Sequence, residues 1–479
     1  MLFSKVRLRR YILFIFSLTV WLAAGIYYTG LNSIIDLIHF LSVPLLVSYL
    51  LIFKPEIVRK KIVPYCIFLA IITLLAAGYL IAFSQSIPHI RINWVELPIA
   101  VYFLLSVYVI LWLLDKFIDL IGSTALRINQ KTNGTAALRR TSYGASATKN
   151  AVKNGLRFAF LIFAVIPYLV AVFTTHWIKF AGADSPKKLP DLEYRRVCFN
   201  TSDGAKLDGW FILSTTSMSD SAVIIAPGRS PTKNLFLPYA RVLSNNGYNV
   251  LLFDLRGNGN SSGHKYSFGI NEANDILGAV DYLETRHAES SRYIFGFGIN
   301  EGASALIAAA GRDDRFAGVV IDSTSGYEVS MPGWLSDYLP GWMEKALLKV
   351  TRSVITIDIG QTAWGAEKLY KDISQISPCP VLVTNSLKTD KSGRIRTIEL
   401  YTKAKEPKML WLTPPPTDEE QGIGLEKEYF QNILELFDFG RAKQQPGCWR
   451  ISHSGYGAKV SGTSGRKESP LSAGRVITL

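Results

Sequence analysis

A sharp turn between a buried strand and a helix is the feature that most limits how this chain can fold. The apolar run Tyr293–Phe297 predicts a buried strand, and the small residues of Ala303–Ala310 predict a helix. Between them stands the sequence Gly-Ile-Asn-Glu-Gly, residues 298–302. Glycines on both sides let the backbone bend sharply, so that one side chain, here Asn300, is lifted above the edge of the sheet.

Predicted strands and helices alternate on both sides of this turn. Alternating strands and helices are typical of a mostly parallel, doubly wound α/β sheet. The other predicted elements are a hairpin over 197–213 that turns at Asp203-Gly204, strands over 221–229, 248–253, 319–322, 380–385 and 407–412, and a helix over 235–246.

Two further motifs stand in a fixed order before the turn. Pro227-Gly228 ends a predicted strand, and residues 254–263 read D-x-R-G-x-G-x-S-x-G. In this order the motifs resemble the α/β-hydrolase superfamily, in its serine-aminopeptidase-like and lipase- or esterase-like members, over residues 189–440. The resemblance implies that Asp254 and Arg256 brace a loop beside the site. It also implies an oxyanion hole next to Gly228, made by the backbone amides of Arg229 and Glu301.

The same resemblance places Asn300 at the nucleophile position, where such enzymes read G-x-S-x-G. An amide side chain has no removable proton and no lone pair usable for acyl transfer. Asp390 falls at the position of the catalytic acid, although it reads equally well as a loop aspartate, and Asp418 stands in the segment where the histidine belongs. Only one of the six histidines, His453, follows Asp390. Loss of such groups typically lowers the rate by about a million-fold, so we expect a hydrolase-like domain without hydrolase activity.

The N-terminal part, residues 1–180, is predicted to be an all-α membrane domain. The chain is 48% hydrophobic and 19% charged. Crossing a bilayer takes about 20 consecutive apolar residues. Five segments are long enough, over 11–30, 34–53, 62–83, 97–121 and 158–178.

The distribution of Lys and Arg predicts the orientation of these spans. Fifteen basic residues precede the first span or lie in the segments 54–61 and 122–157. The connections on the other side of the membrane, residues 31–33 and 85–96, hold one basic residue, Arg91. Because basic residues collect on the cytoplasmic side, we expect a cytoplasmic N-terminus, a basic cytoplasmic loop over 122–157 and an extracytoplasmic C-terminal domain. Part of the net charge of +14 then faces anionic lipid. No nucleic-acid-binding motif accompanies the basic residues.

Three remaining segments carry weaker predictions. A lid is expected over 327–374, either as a helical cap on the sheet or as an apolar surface that touches lipid or an acyl ligand. Cys198 and Cys379 are expected to be buried free thiols, and the four scattered cysteines predict no disulfide framework and no metal site. The basic, Gly- and Ser-rich tail over 441–479 is expected to be disordered.

The sequence therefore predicts a binding or scaffolding module held at the lipid bilayer. We expect it to bind an acyl or other apolar ligand and to need no cofactor. The sequence does not identify a protein partner. The alternative is an active esterase, lipase or peptidase with a non-standard nucleophile, for which Ser304 and Ser230 are the candidates. A third hypothesis, transport, has little support because no span resembles a broken transporter helix.

Overall fold

The computed structural model describes most of the C-terminal half of the chain and scattered parts of the N-terminal half. The described residues are 12–20, 22, 40–42, 44–46, 48–49, 90–92, 106, 109, 112, 116, 154–155, 158–176, 180–182, 192–216, 219–228, 232–263, 265–324, 329, 336–360, 365–385, 391–412, 419–444 and 476–478. The chain divides into two compact units. The helical unit comprises residues 1–83, 93–178 and 329–362, and the sheet unit comprises 84–92, 179–328 and 363–479.

The regular elements of the described residues follow one another in the order predicted for an α/β chain. They are β1 (Ile90–Ile92), a π-helical turn (Leu161–Val165), α1 (Ile166–Thr175), β2 (Phe180–Gly182), β3 (Tyr194–Asn200), β4 (Lys206–Ile212), β5 (Ser221–Ala226), a 3-10 helix (Lys233–Phe236), α2 (Leu237–Asn245), β6 (Asn249–Phe253), α3 (Glu272–His287), a second 3-10 helix (Ala288–Ser291), β7 (Tyr293–Ile299), α4 (Glu301–Ala310), β8 (Phe316–Asp322), α5 (Gly341–Ile359), α6 (Ala366–Gln375), β9 (Val381–Asn385), α7 (Lys391–Lys403), β10 (Lys408–Leu412), α8 (Glu419–Gln444) and β11 (Val476–Thr478).

The sheet unit is built on a nine-stranded sheet with the strand order β11-β10-β9-β8-β7-β5-β6-β4-β3. The six strands from β10 to β6 run parallel, and β4, β3 and β11 are antiparallel to their neighbours. Parallel strands are buried on both faces and are therefore rich in apolar residues. All positions of β5, β6, β7, β8 and β9 are buried. The predicted mostly parallel sheet is confirmed.

Helices cover both faces of this sheet, as a doubly wound fold requires. On one face α3, α4, α6 and α7 pack side by side. On the other, α2 and α8 meet through the rings of Tyr239 and Phe430, whose centroids are 5.5 Å apart. The core between these two helices and the sheet is dominated by aromatic and branched side chains, among them Phe295, Phe297 and Phe437.

In the helical unit, α5 packs against α1. The hydroxyl of Thr175 donates a hydrogen bond of 2.6 Å to Asp358 Oδ2, and His176 Nδ1 lies 3.7 Å from the same oxygen. Residues 329–362, most of the predicted lid, therefore group with α1, whereas α6, at the end of that segment, belongs to the sheet unit.

The predicted membrane spans lie largely outside the described residues. Within the described part, no helix combines the length and the apolar character needed to cross a bilayer. The span over 158–178 is represented by the π-helical turn and by α1, which has 10 residues.

Two predictions about the sheet unit are wrong. The tail is not disordered at its ends, because α8 continues to Gln444 and Val476–Thr478 pairs with the edge strand β10. An edge strand offers unpaired backbone groups, and Val, Ile and Thr favour strands. Cys198 is exposed rather than buried, since β3 is the outermost strand at the other end of the sheet and Cys198 lies on its open face.

Candidate functional site

The turn between β7 and α4, residues 298–302, has the geometry of a nucleophile elbow. Asn300 has φ 51° and ψ −113°, a combination that L residues rarely adopt. Its N–H donates a 2.9 Å hydrogen bond to the carbonyl of Asp322, and its own carbonyl accepts the N–H of Ala303 at 3.1 Å. The backbone is thus fixed on both sides, and the Asn300 side chain is exposed at the carboxyl end of the parallel strands.

Close contact of backbones explains the glycines of the elbow. A Cβ atom on Gly302 would overlap the carbonyl oxygens of Ala226 and Pro227, and one on Gly298 would lie 2.6 Å from Ala303 Cα. Any larger residue at either position would separate α4 from β7 or from the end of β5. The spacing G-x-N-x-G is therefore needed for packing, whichever side chain stands between the glycines.

The turn that follows β5 meets the elbow directly. A Cβ atom on Gly228 would lie 2.8 Å from Asn300 Cβ and 2.9 Å from Glu301 Oε2. The predicted oxyanion segment and the nucleophile position are therefore neighbours. Arg229, whose backbone amide is predicted to form the oxyanion hole together with that of Glu301, lies outside the described residues, as does Ser230.

A buried ion network ties this region to the loop after β6. Lys233, which is 2% exposed, places Nζ 2.6 Å from Asp254 Oδ2 and 2.7 Å from Asp208 Oδ2. The backbone N–H of Lys233 also donates to Asp254 Oδ1 at 2.6 Å. Burial raises the pKa of Asp208, but the ammonium of Lys233 and the guanidinium of Arg196 outweigh burial and hold that pKa below its ordinary value.

Arg256 braces the same loop from its other side. Its Nη2 lies 2.7 Å from Asp275 Oδ1 in α3, and its Nη1 lies 2.8 Å from Asp203 Oδ2 in the β3–β4 turn. Burial raises the pKa of Asp203, but hydrogen bonds from Arg256, Thr201 and Asn274 prevail and hold it well below its ordinary range. Asp254 and Arg256 thus fix the loop, and neither is placed in contact with Asn300.

A third buried group lies directly beneath the elbow. Asp322, at the end of β8, is 1% exposed, and its carboxyl accepts hydrogen bonds from the hydroxyls of Tyr429 at 2.7 Å and Ser323 at 2.6 Å. Burial raises the pKa of Asp322 above its ordinary value, although both hydroxyls oppose the shift. Tyr429 belongs to α8, so this contact joins α8 to β8, the strand beside β7.

Comparison with known proteins gives the same architecture. Residues 217–376, which include the elbow, match the family described as serine aminopeptidase, S33. The sheet unit has an α/β-hydrolase-like fold. The uncharacterized protein YfhR of Escherichia coli K12 is 28% identical to this chain over 223 residues, which are 46% of this chain and 71% of YfhR.

Two solved structures are similar to part of this chain. The Pyrococcus furiosus esterase PF2001 has 24% sequence identity and a TM-score of 0.41, covering 54% of this chain and 95% of the esterase. The α/β hydrolase GrgF from a Penicillium species has 19% identity and a TM-score of 0.43, covering 52% of this chain and 99% of GrgF.

The remaining predicted site residues are not brought together by the described structure. Asp390 and Asp418 lie outside the described residues. The described part of the hydrolase-like unit contains one histidine, His287, which ends α3 and stacks on Phe211 with ring centroids 3.9 Å apart. Because β7 starts shortly after α3 ends, His287 lies at the amino end of the parallel strands, opposite the elbow.

Sequence reasoning missed Lys233, Asp208, Asp322 and Tyr429. A lysine soon after an oxyanion turn looks like an ordinary surface residue, and nothing in its spacing reveals the two carboxylates. Asp322 closes an apolar strand, VVID, and a carboxylate at the carboxyl end of a strand beside the elbow was the one available signal.

Proposed function

We propose that this chain is a membrane-anchored, extracytoplasmic α/β-hydrolase-like protein that binds a ligand at its elbow without hydrolysing it. The observation that carries the proposal is Asn300, which occupies the elbow backbone at φ 51°. A nucleophile elbow serves to present a side chain to a carbonyl. Here the presented group is an amide, which cannot act as the nucleophile.

The chemistry of the amide indicates the kind of ligand. Asn300 can donate and accept a hydrogen bond, so it can hold a carbonyl or a carboxylate without attacking it. Among the described residues nothing hydrogen-bonds its side chain, and the backbone of Gly228 lies directly beside it. An acyl group or a similar amphiphile has a carbonyl or carboxylate that fits this amide.

The membrane part of the proposal is supported by the sequence. Five apolar segments and the bias of fifteen basic residues against one favour a cytoplasmic N-terminus and an extracytoplasmic sheet unit. The lipid bilayer is then the first partner of the chain. A nucleic-acid partner is disfavoured because the basic residues flank the spans.

The alternative is an active hydrolase with a different nucleophile. Ser304 is a poor candidate, because its side chain is fully buried and its hydroxyl shares a 2.7 Å hydrogen bond with the hydroxyl of Thr324. Ser304 is also one helical turn beyond the elbow, on α4. Ser230 remains the second candidate.

A fluorophosphonate probe separates the two functions. We expect the full-length protein to remain unlabelled, and Asn300→Ser to remain unlabelled as well, because the predicted histidine position holds Asp418. Labelling of the wild type that disappears in Ser230→Ala or Ser304→Ala would establish the active hydrolase and reject the proposal.

Ligand binding at the elbow is tested by thermal unfolding with decanoate and its methyl ester. A ligand at 100 times its Kd stabilises the folded state by about 2.7 kcal/mol. We expect a shift for the wild type and for Asn246→Leu, which changes an exposed Asn at the end of α2, but none for Asn300→Leu. Equal shifts in all three proteins would place binding elsewhere, and no shift in any of them would reject acyl binding at the elbow.

A further inference from the structure

A cleft lies beside the loop that follows β6. Its volume is about 540 Å³ and its lining includes Arg196, Cys198, Lys206, Asp208, Asn260 and Ser262. The strands β3 and β4 form its floor, and the loop over 257–263 forms one wall.

The register of the β3–β4 hairpin places the charged residues on one face. Cys198 pairs with Asp208, and Asn200 pairs with Lys206. Since side chains alternate along a strand, Arg196 shares this face with Cys198, and Lys206 shares it with Asp208. Arg195, the neighbour of Arg196, projects from the opposite face.

The charges around the cleft do not balance. Arg196 and Lys233 both contact Asp208, at 2.8 and 2.7 Å, and Lys233 also neutralises Asp254. Lys206 is exposed, and its ammonium has no ion-pair partner within the described part of the chain. Arg196 and Lys233 therefore balance Asp208 and Asp254, and Lys206 adds one unmatched positive charge to the lining of the cleft.

Hydrogen-bond donors accompany this charge. Arg196 uses Nε and Nη2 on Asp208 and its side chain is 68% exposed, so Nη1 can donate to a further acceptor. The oxygen of the Ser262 hydroxyl accepts the backbone N–H of Lys206 at 2.7 Å, so its proton is available to another acceptor. The amide of Asn260 lies 3.5 Å from Asp208 Oδ2, at the limit of a hydrogen bond.

We propose that this cleft binds a phosphate group, with Lys206 as the main charge contact and with Arg196 and Ser262 as hydrogen-bond donors. A guanidinium, an ammonium and a hydroxyl group line this cleft, and these are donors that phosphate oxygens prefer. The buried Lys233 keeps Asp208 neutralised, so that this carboxylate does not repel the anion. The proposal does not depend on the function of the elbow, because no residue is shared between the two sites.

The test measures binding of inorganic phosphate to the full-length protein in detergent, by 31P line broadening at constant ionic strength set with chloride. We expect Lys206→Met to weaken binding at least tenfold, which corresponds to about 1.4 kcal/mol. Arg195→Met is the matched control, because it removes one exposed positive charge from the same hairpin on the other face and should bind phosphate like the wild type. Absence of phosphate-specific binding in the wild type, or equal binding by Lys206→Met, would overturn the proposal.

The same measurement in phospholipid nanodiscs distinguishes the source of the phosphate. Binding that is present in detergent and lost in nanodiscs supports a lipid headgroup as the occupant, since headgroups then compete for the cleft. Binding that is equal in both supports a soluble phosphate compound. Equal loss in Arg195→Met and Lys206→Met would show a general charge effect and reject the site.

Discussion

The backbone conformation of Asn300 predicts how a substitution at this position changes the free energy of unfolding, whichever ligand the protein binds. Residues held in sparsely populated φ/ψ regions destabilise the folded state by about 1–3 kcal/mol. Asn300 has φ 51° and ψ −113° and is exposed, so no burial of its side chain offsets this strain. Glycine adopts positive φ without a Cβ clash, so Asn300→Gly should relieve most of the strain.

Glycine also increases the conformational freedom of the unfolded chain, which lowers stability by about 0.5–1 kcal/mol. The net expectation is therefore that Asn300→Gly raises the free energy of unfolding by about 1 kcal/mol. In a domain of about 150–250 residues this corresponds to a rise in Tm of about 2–4 °C. Thermal unfolding of the full-length protein in detergent, followed by tryptophan fluorescence, measures it.

Two controls isolate the effect of the backbone angle. Asn300→Ala keeps Cβ and should show no gain. Asn246→Gly changes an exposed Asn with φ −100°, where glycine offers no relief, and should lower the free energy of unfolding. If Asn300→Gly loses as much stability as Asn246→Gly, the elbow is not strained and the reasoning is refuted.

Further predictions concern the ion network, its pH dependence and the topology. Lys233→Met leaves the buried carboxylate of Asp254 without its ion-pair partner and leaves Asp208 with Arg196 alone, and should lower the free energy of unfolding by about 3–5 kcal/mol; a loss near zero in urea denaturation would contradict the network. The folded pKa of Asp208 is below its unfolded value of 3.8, so the ionised carboxylate stabilises the folded state above pH 3.8 and this stabilisation is lost as the pH falls through the folded pKa. An acid titration in which the free energy of unfolding of the wild type does not decline would argue against this role of Asp208. A reporter fused after Leu412 should be active outside the cytoplasm and one inserted near Arg140 should be active inside, whereas activity in one compartment for both would refute the span count or the charge argument.

Local patterns were sufficient to predict the parallel strands of the sheet and the β3–β4 hairpin. The strands were recognisable because parallel strands are buried on both faces and therefore read as continuous apolar runs, such as SAVIIA in β5. The elbow was recognisable because its glycines are required by backbone contacts that any sequence must satisfy. Each of these signals is contained within a few consecutive residues of the chain.

Contacts between distant segments could not be predicted in this way. Lys233 and Asp208 are 25 residues apart, and Asp322 and Tyr429 are 107 residues apart. Neither pair has a local pattern, because each depends on how loops and helices pack after the sheet has formed. The antiparallel strand β11 was missed for a similar reason, since three residues in a polar tail give no periodicity until an open strand edge is near them.

The arrangement beneath the elbow indicates why the site keeps its shape without a serine. The Asp322 backbone carbonyl accepts the N–H of Asn300, while its carboxyl accepts the hydroxyl of Tyr429 from α8. Gly228, at the end of β5, contacts Asn300 from the other side. These contacts involve backbone atoms of Asn300 or its Cβ, and none needs a hydroxyl at that position. The elbow geometry is therefore independent of the nucleophile, so a change from serine to asparagine alters the chemistry of the presented group and leaves its position fixed.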